Sequence, residues 1–562
     1  MWRVFHRPED CVAESDCRTG SSSFRGVGDR RYCPRMRRDD RQANLAERLA
    51  ASLRAAGADT MFGLPGGGPN LDVVGAALAE GMRFVLAHGE TAAAIMAGTY
   101  GRLTNQPAPV VVTRGPGAAS VANGAAQATL DRFPLVVITD TVPSVQAQRV
   151  PHQRLDQRAM MKPLTLRTAT IADRSTDDDL NRLIAEAVSW PSGAVHLDFD
   201  PSAAIPSDLV AAPPIPSVRS AVVDEARAAI AAARHPLVLV GFEAALWGGR
   251  LLSTLERLGC PVLTTYQAIG SVPSEGDLHA GLFTNGALER HILDQADLII
   301  ALGLDEVELI SAPWSIEAPV VRLSTVVQDS PYMPVMVDVV APVEVLLDLL
   351  VRTGRDWPTD AAVVSRRAQR AALRTGRDCF GPLQLVASAI EALPDAITTT
   401  VDAGAHFLAV MPNWTADRPL RLLISNGLAT MGFALPAAIG AALARPGEPV
   451  LALTGDGGLS MVLAELETLA RLELPVTVLV FNDSALSLIE IKQQSHHGGP
   501  SAVRYRPVDF ATIAAGSGLA STVVKTAREL SAALAGDWNQ PRLIDARIDP
   551  TDYPHLIKAT RG

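Results

Sequence analysis

The stretch Leu451–Asp483, LALTGDGGLSMVLAELETLARLELPVTVLVFND, decides how the rest of the chain is read. Val450 to Thr454 has the makings of a short buried strand, Gly455-Asp456-Gly457-Gly458 of a turn, Leu459 to Leu472 of a helix, and Val476 to Phe481 of a second strand. In a strand, turn, helix, strand unit, the turn and the end of the next strand both lie at the carboxyl edge of a parallel sheet, where open α/β proteins bind ligands. That places Asp456 near Asn482 and Asp483. The glycines beside Asp456 let the backbone approach an anionic group, and the following helix offers unpaired N–H groups at its positive end. Two carboxylates beside a phosphate site suit a hard divalent cation, magnesium foremost. Glycine turns of this kind also arise for steric reasons alone, so the spacing carries the weight: after Gly457, 24 residues (458–481) precede Asn482-Asp483.

Composition bounds what surrounds this unit. A chain of 562 residues has room for roughly three to four domains of about 150 residues each. Abundant Ala, Gly and Val between short helical patterns favour α/β over all-α or all-β. The net charge of -10 argues against a nucleic-acid partner. No apolar run approaches the roughly 18 residues needed to cross a bilayer, so no membrane partner is expected. Cys11, Cys17 and Cys33 fall early in the chain without metal-like or disulfide-like spacing, which fits a reducing, cytoplasmic setting.

Residues 1–40, rich in Arg, Asp, Ser and Gly with no apolar period, read as a disordered tail. From Asn44 the pattern changes. LAERLAASLRAAG is an amphipathic helix closed by Gly57, TMFGLPGGG a strand entering a glycine loop, and Phe84–Ala87 a short strand before the Ala-rich helix opened by Glu90. Pro109–Thr113 and Leu135–Asp140 are further strands, with RGPGAAS a glycine turn between them. Repeated units of this kind predict a doubly wound parallel sheet over 41–200. Pro201–Pro216 has linker composition, 217–350 repeats the α/β pattern, Val351–Cys379 reads as an Arg-rich helical connector with a solvated face, and 378–562 forms the last domain.

The GDGG-to-ND register resembles the GDG-to-NN signature of thiamine diphosphate (ThDP) enzymes. The run LAHGETAAAIMAGTYGRLT resembles the segment of that family in which a glutamate precedes Ala93, Met96, Ala97, Tyr100 and Arg102 at fixed offsets. VVVTRGPGAASVANGAAQATLDRFPLVVITDTV is similar to an acetolactate-synthase-like pyrimidine domain, and TTYQAIG, HAGLFTN and LGLDEVELISAPW to the central domain of catabolic acetolactate synthases. The resemblance extends over nearly all of residues 44–552. It implies three doubly wound parallel-sheet domains, with pyrimidine-binding and diphosphate-binding domains flanking a central Rossmann-like one.

By that resemblance Glu90 hydrogen-bonds N1' of the aminopyrimidine and promotes the imino tautomer, whose 4' nitrogen takes the C2 proton. Asp456 and Asp483 would give side-chain oxygens, and Ala485 a backbone carbonyl, to Mg2+ bridging the diphosphate, beside Gly457 and Gly458. Ala405 and His406 would contact the diphosphate. The Ala429 carbonyl would accept from the 4' amino group, and Met431 would prop the cofactor into its bent shape. His152 and Gln153 stand where related carboligases approach substrate, although a solvated loop explains them equally. His496 and His497 read as solvent-facing. Three positions depart from the family pattern: Asp483 stands for the usual Asn, Gly89 for the usual histidine, which leaves His88 unassigned, and Leu166 for a frequent lysine. Anabolic relatives bind FAD in the central domain; no GxGxxG fingerprint occurs here, and the expectation leans against flavin.

The implied activity is that of a ThDP- and Mg2+-dependent carboligase acting on small 2-oxo acids, acetolactate synthase-like. A decarboxylase or another carboligase or lyase is the enzymatic alternative. An inactive cofactor-binding paralogue is the non-enzymatic one, opposed by the retention of Glu90, Asp456 and Asp483 together. The resemblance further implies a homodimer at least, commonly doubled to a tetramer, with each site drawn from two chains.

Overall fold

Short apolar strands alternating with Ala- and Leu-rich helices leave each strand to be covered on both faces, and this makes all three sheets of the chain parallel. The computed structural model describes residues 44–562 apart from 144–148, 204–219, 310–312, 329–332, 351–355, 378 and 498–501. The expected tail, with Cys11, Cys17 and Cys33, and most of the expected linker lie outside the described residues.

The N-terminal sheet holds β1 (Thr60–Leu64), β2 (Arg83–Leu86), β3 (Ala108–Val112), β4 (Leu135–Asp140), β5 (Arg167–Ile171) and β6 (Ala194–Phe199) in the order β2-β1-β3-β4-β6-β5. The central sheet holds β7 (Pro236–Val240), β8 (Val262–Thr264), β9 (His279–Leu282), β10 (Leu298–Leu302), β11 (Val320–Ser324) and β12 (Val337–Val340) in the order β12-β11-β10-β7-β8-β9. The C-terminal sheet holds β13 (Thr398–Val401), β14 (Leu422–Ile424), β15 (Val450–Gly455), β16 (Val476–Asn482), β17 (Ala520–Val524) and β18 (Arg542–Arg547), ordered β14-β13-β15-β16-β18-β17. The first and third sheets therefore share one winding. The central one has the dinucleotide-fold order, so the expected Rossmann-like middle domain is present.

The outer two domains share an apolar core. The Ala-rich helix Glu90–Thr104 packs on helix Ala434–Ala444, and one apolar core runs from Ile95 and Met96 through Phe133 to Phe433 and Ile439. Small residues permit the approach: a methyl group on Gly440 would lie 2.3 Å from the backbone oxygen of Met96. Gly440→Ala is therefore expected to destabilise the protein by about 1–3 kcal/mol, despite the better helix propensity of alanine, because backbone cannot yield as a side chain does. Urea denaturation measures it, and a stabilised variant would mean that the two helices separate at no cost.

Two sequence expectations are corrected. The helix expected over Leu459–Leu472 is two pieces, Asp456–Ser460 and Glu465–Leu472. The break falls at residues 461–464, where the tight bonds Met461 N to Gly458 O (3.1 Å) and Val462 N to Leu459 O (3.0 Å) turn the chain between the pieces. The Arg-rich connector contains helix Ala361–Ala372, but its face is not all solvated: Arg366 is buried and donates to the carbonyls of Gly276 (2.9 Å) and His279 (2.7 Å) beside β9. Among the described residues, no helix is long and apolar enough to cross a membrane.

Candidate functional site

In the C-terminal sheet the strand order reverses between β13 and β15, and a crevice opens there at the carboxyl edge. The loop after β13 supplies Asp402 to His406, and the turn after β15 supplies Asp456 to Gly458. Because Gly455 pairs with Phe481, the next residues of β15 and β16 emerge side by side, which brings Asp483 to Asp456. The cleft so formed measures about 230 Å3. Ala405, His406, Ala429 and Met431 line it, together with Gly457, Gly458 and the metal candidates Asp456, Asp483 and Ala485.

The two carboxylates are held by different hydrogen-bond donors. Asp456 is buried; its Oδ1 accepts from Gly457 N (2.7 Å) and its Oδ2 from Ser484 N (2.6 Å), and the Tyr505 hydroxyl donates to it as well. Asp483 accepts from the Ser487 hydroxyl (2.6 Å) and from Ala485 N (3.2 Å). Burial, and after it the charge of Asp456, push the Asp483 carboxyl up to about 7; burial raises Asp456 too. Two such carboxylates resist being ionised together unless a cation lies against both. Asn482 does not compete for that role, because its side chain turns away to Asp545 (2.8 Å) and the Val508 carbonyl (3.1 Å). Among the described residues, no group of three or more His, Cys, Asp or Glu side chains is placed to hold a metal. A pair of carboxylates and one carbonyl is instead the partial donor set that magnesium takes when phosphate oxygens complete its shell.

His406 is buried against Phe481, with ring centroids 5.1 Å apart, and burial pushes its imidazole down to about 4. It is therefore neutral at pH 7. Its Nε2 has no protein partner although the residue lines the cleft, so it is free for a cofactor oxygen without adding charge. Asp402, which no motif had singled out, is fully buried and pushed up to about 6; it accepts from Gly432 N (3.0 Å) and the Thr454 hydroxyl (3.0 Å). Gly458 has to be glycine beside it, since a Cβ there would lie 2.6 Å from Asp402 Oδ2. Tyr553, from the last helix (Tyr553–Arg561), also lines the cleft, and no local pattern announces it.

Glu90 does not line this cleft of its own chain. It opens helix Glu90–Thr104, and the turn before it is held from the C-terminal domain: Glu465 Oε1 accepts from His88 N (3.0 Å) and Gly89 N (2.9 Å). The His88 side chain, unassigned from sequence, pairs with Glu467 at 2.7 Å. The glycine turn after β3 links the first candidates. A methyl on Gly117 would lie 3.4 Å from Glu90 Oε1, and one on Gly115 would lie 2.9 Å from the Gln153 carbonyl. Gln153, at φ 55°, thus sits over the same turn as Glu90, while His152 is exposed. Buried Gln157 secures the turn by accepting from Gly115 N (2.8 Å) and donating to Asp198 (2.8 Å). Leu166 lies at the amino edge of the sheet, with its side chain against Gly193. His496 and His497 end helix Ser487–His497, and their side chains lie outside the described residues.

The central sheet has its own switch point, between β7 and β10. Where a dinucleotide phosphate would meet the turn after β7, Phe242 N donates to Glu308 Oε2 (2.8 Å), Asp305 N to the same oxygen (3.0 Å), and the Thr265 hydroxyl to Glu308 Oε1. An internal carboxyl group, which burial pushes up to about 8, thus takes the N–H donors at this switch point.

Three family models match in chain order: the thiamine pyrophosphate enzyme N-terminal TPP binding domain over residues 43–160, the central domain over 223–331 and the C-terminal TPP binding domain over 402–546. The chain is 29% identical to an acetolactate synthase of Bacillus subtilis over 551 residues, covering 91% of this chain and 94% of that one. It is 29% identical to a catabolic acetolactate synthase of Raoultella terrigena, over 92% of this chain and 98% of the relative. A probable 2-ketoarginine decarboxylase of Pseudomonas aeruginosa is 31% identical over 530 residues, 88% of this chain and 91% of its own. With all three domain models matched in order and relatives aligned along nearly their whole length, the chain belongs to the thiamine pyrophosphate (thiamine diphosphate) enzyme family and is an enzyme of the acetolactate synthase-like kind.

Proposed function

We propose that this enzyme is Mg2+-dependent and joins two small 2-oxo acids, pyruvate foremost, as an acetolactate synthase-type carboligase. The observation that carries the reading is the Asp456–Asp483 pair at the sheet's switch point beside an uncharged His406. Asp456, Asp483 and Ala485 hold the metal, Gly457 and Gly458 let backbone approach the diphosphate, and Ala429 and Met431 orient the rings. When bound, thiamine diphosphate supplies a C2 carbanion for the substrate carbonyl and an electron sink as CO2 leaves. Glu90 moves the proton at N1' that makes the neighbouring 4' nitrogen a base. His152 and Gln153, on the loop over the same glycine turn, face the acceptor. In this reading residues 41–200 are the pyrimidine-binding domain, 217–350 the central domain and 378–562 the diphosphate-binding domain. Flavin is not required, which agrees with Glu308 taking the N–H donors at the central switch point. The free thiols Cys260 and Cys379 accord with a cytoplasmic setting.

Each site takes Glu90 from another copy of the chain, because Glu90 lies outside the cleft formed by its own Asp456. A mixing experiment tests this. Glu90→Gln and Asp456→Ala chains, each inactive alone, are expected to regain about a quarter of wild-type activity when unfolded and refolded together: random pairing makes half the dimers mixed, and each mixed dimer restores one of two sites. No recovery would place the whole site within one chain.

The named activity is tested by supplying pyruvate with ThDP and Mg2+ and measuring CO2, acetaldehyde and acetolactate separately. Acetolactate is expected. The 31% identity to a probable 2-ketoarginine decarboxylase favours decarboxylation as the second reading. Release of aldehyde without ligation, from pyruvate or a longer 2-oxo acid, would select it.

A further inference from the structure

The stretch LDRFP, residues 130–134, contains a carboxylate that the reaction above does not use. Asp131 is fully buried at the end of helix Pro116–Leu130. Its Oδ1 accepts from Gly427 N at 2.6 Å and its Oδ2 from Gln127 Nε2 at 2.9 Å. Gly427 belongs to the loop SNGLATMG (425–432), which carries Ala429 and Met431. The domain that owns this loop grips its far end through Asp402 and Gly432. The middle is held by the rest of the chain. Asn123 and Thr430 exchange two hydrogen bonds (3.0 and 3.1 Å), and Asn426 donates to the Val307 carbonyl (3.2 Å) of the central domain. A Cβ on Gly427 would lie 2.6 Å from the Leu130 carbonyl, so the loop rests directly on the backbone before Asp131. Ala429 has φ 53°, a left-handed conformation that a residue with a side chain keeps only where its surroundings impose it.

We infer that Asp131 is the positioning residue of the cofactor loop: by fixing Gly427 N from the N-terminal domain, it sets the Ala429 carbonyl and the Met431 side chain at the cofactor's rings. This rests on the cofactor roles proposed for Ala429 and Met431. Burial raises the Asp131 carboxyl to about 6, against hydrogen bonds from Gln127, Gly427, Ser425 and Asn426, which is the cost of keeping an acceptor there. Cofactor affinity then depends on how the first domain of a chain docks on its third.

The test measures the Kd for ThDP by calorimetry at saturating Mg2+, alongside melting of the cofactor-free protein. Asp131→Ala leaves the buried Gly427 N–H without an acceptor and is expected to weaken ThDP binding at least tenfold. Asp131→Asn keeps Oδ1 for Gly427 N, and its new amide meets Gln127, whose Oε1 has no partner at present and faces it after a flip. Its Kd is expected to stay within about threefold of wild type. Asn123→Ala removes only neutral hydrogen bonds to Thr430, so it folds, and is expected to weaken binding about threefold or more. A purely structural role would lower the melting temperature and leave the Kd, measured well below the melt, unchanged. The inference is overturned if Asp131→Ala, or Asn123→Ala should the former not fold, binds ThDP as wild type does. It is overturned equally if Asp131→Asn is as weak as Asp131→Ala. Wild-type protein that binds ThDP but makes no acetolactate would defeat the proposed activity alone and leave this comparison standing.

Discussion

Glu90→Gln is expected to lower kcat with a 2-oxo acid by roughly 100- to 10,000-fold, the range over which a positioned proton-transfer group acts. Glutamine keeps the shape of the side chain and can still meet a ring nitrogen, but it can neither take up nor release the proton. The fold has little stake in the charge. Glu90 occupies the first turn of helix Glu90–Thr104, where a carboxylate is worth about 0.3–1 kcal/mol against the helix dipole, and the turn before it is held by Glu465 regardless. Melting should therefore shift by only a few degrees. Calorimetry should find ThDP bound, because the metal-side grip is untouched. A variant with wild-type turnover would remove Glu90 from the mechanism and return it to the status of a helix-start carboxylate.

Asp456→Ala is expected to abolish loading instead of turnover, with the Kd for ThDP in the presence of Mg2+ rising by more than about 100-fold. Loss of an outer-sphere partner of a metal site already costs 10–100-fold, and Asp456 is proposed as a direct ligand. The sign of the stability effect makes the prediction sharper. In the cofactor-free protein Asp456 is a buried carboxylate beside Asp483, and its charge helps to raise Asp483 to about 7. Removing it relieves that repulsion, which offsets the hydrogen bonds lost by Ser484 N and Gly457 N. The cofactor-free variant should thus melt close to wild type, while the rise in melting temperature that ThDP and Mg2+ give wild type disappears. Asp483→Asn is the contrast: it restores the residue usual in the resembled signature, keeps an amide oxygen toward the metal, and should leave Kd within about tenfold. Tight Mg2+-dependent ThDP binding by Asp456→Ala would sink the assignment of the metal site.

Much of this was legible before any coordinates. Strands β3, β4, β15 and β16 are contiguous apolar runs bounded by Gly, Pro, Asn or Asp, so their existence and parallel pairing follow from local pattern. The juxtaposition of Asp456 and Asp483 was legible for the same reason: a β-α-β unit has a fixed hand and brings the ends of its two strands to one edge. Leu459–Leu472 misled because its apolar period runs on through the turn at 461–464, which tight local bonds make and no local residue type announces. The Arg-rich connector misled because charge in a sequence says nothing of the carbonyls that can bury it, as those of Gly276 and His279 bury Arg366.

The sequence by itself determined the α/β class, the order of the units, and which proposed site residues lie together on loops at strand ends, because these depend on neighbours within some thirty residues. Only the tertiary structure decided that Asp131 holds Gly427, that Glu465 holds the turn before Glu90, that Glu308 takes the N–H donors at the central switch point, and that His406 is neutral. Such choices are made by hydrogen bonds between residues up to hundreds of positions apart and by desolvation, and neither exists until the domains pack.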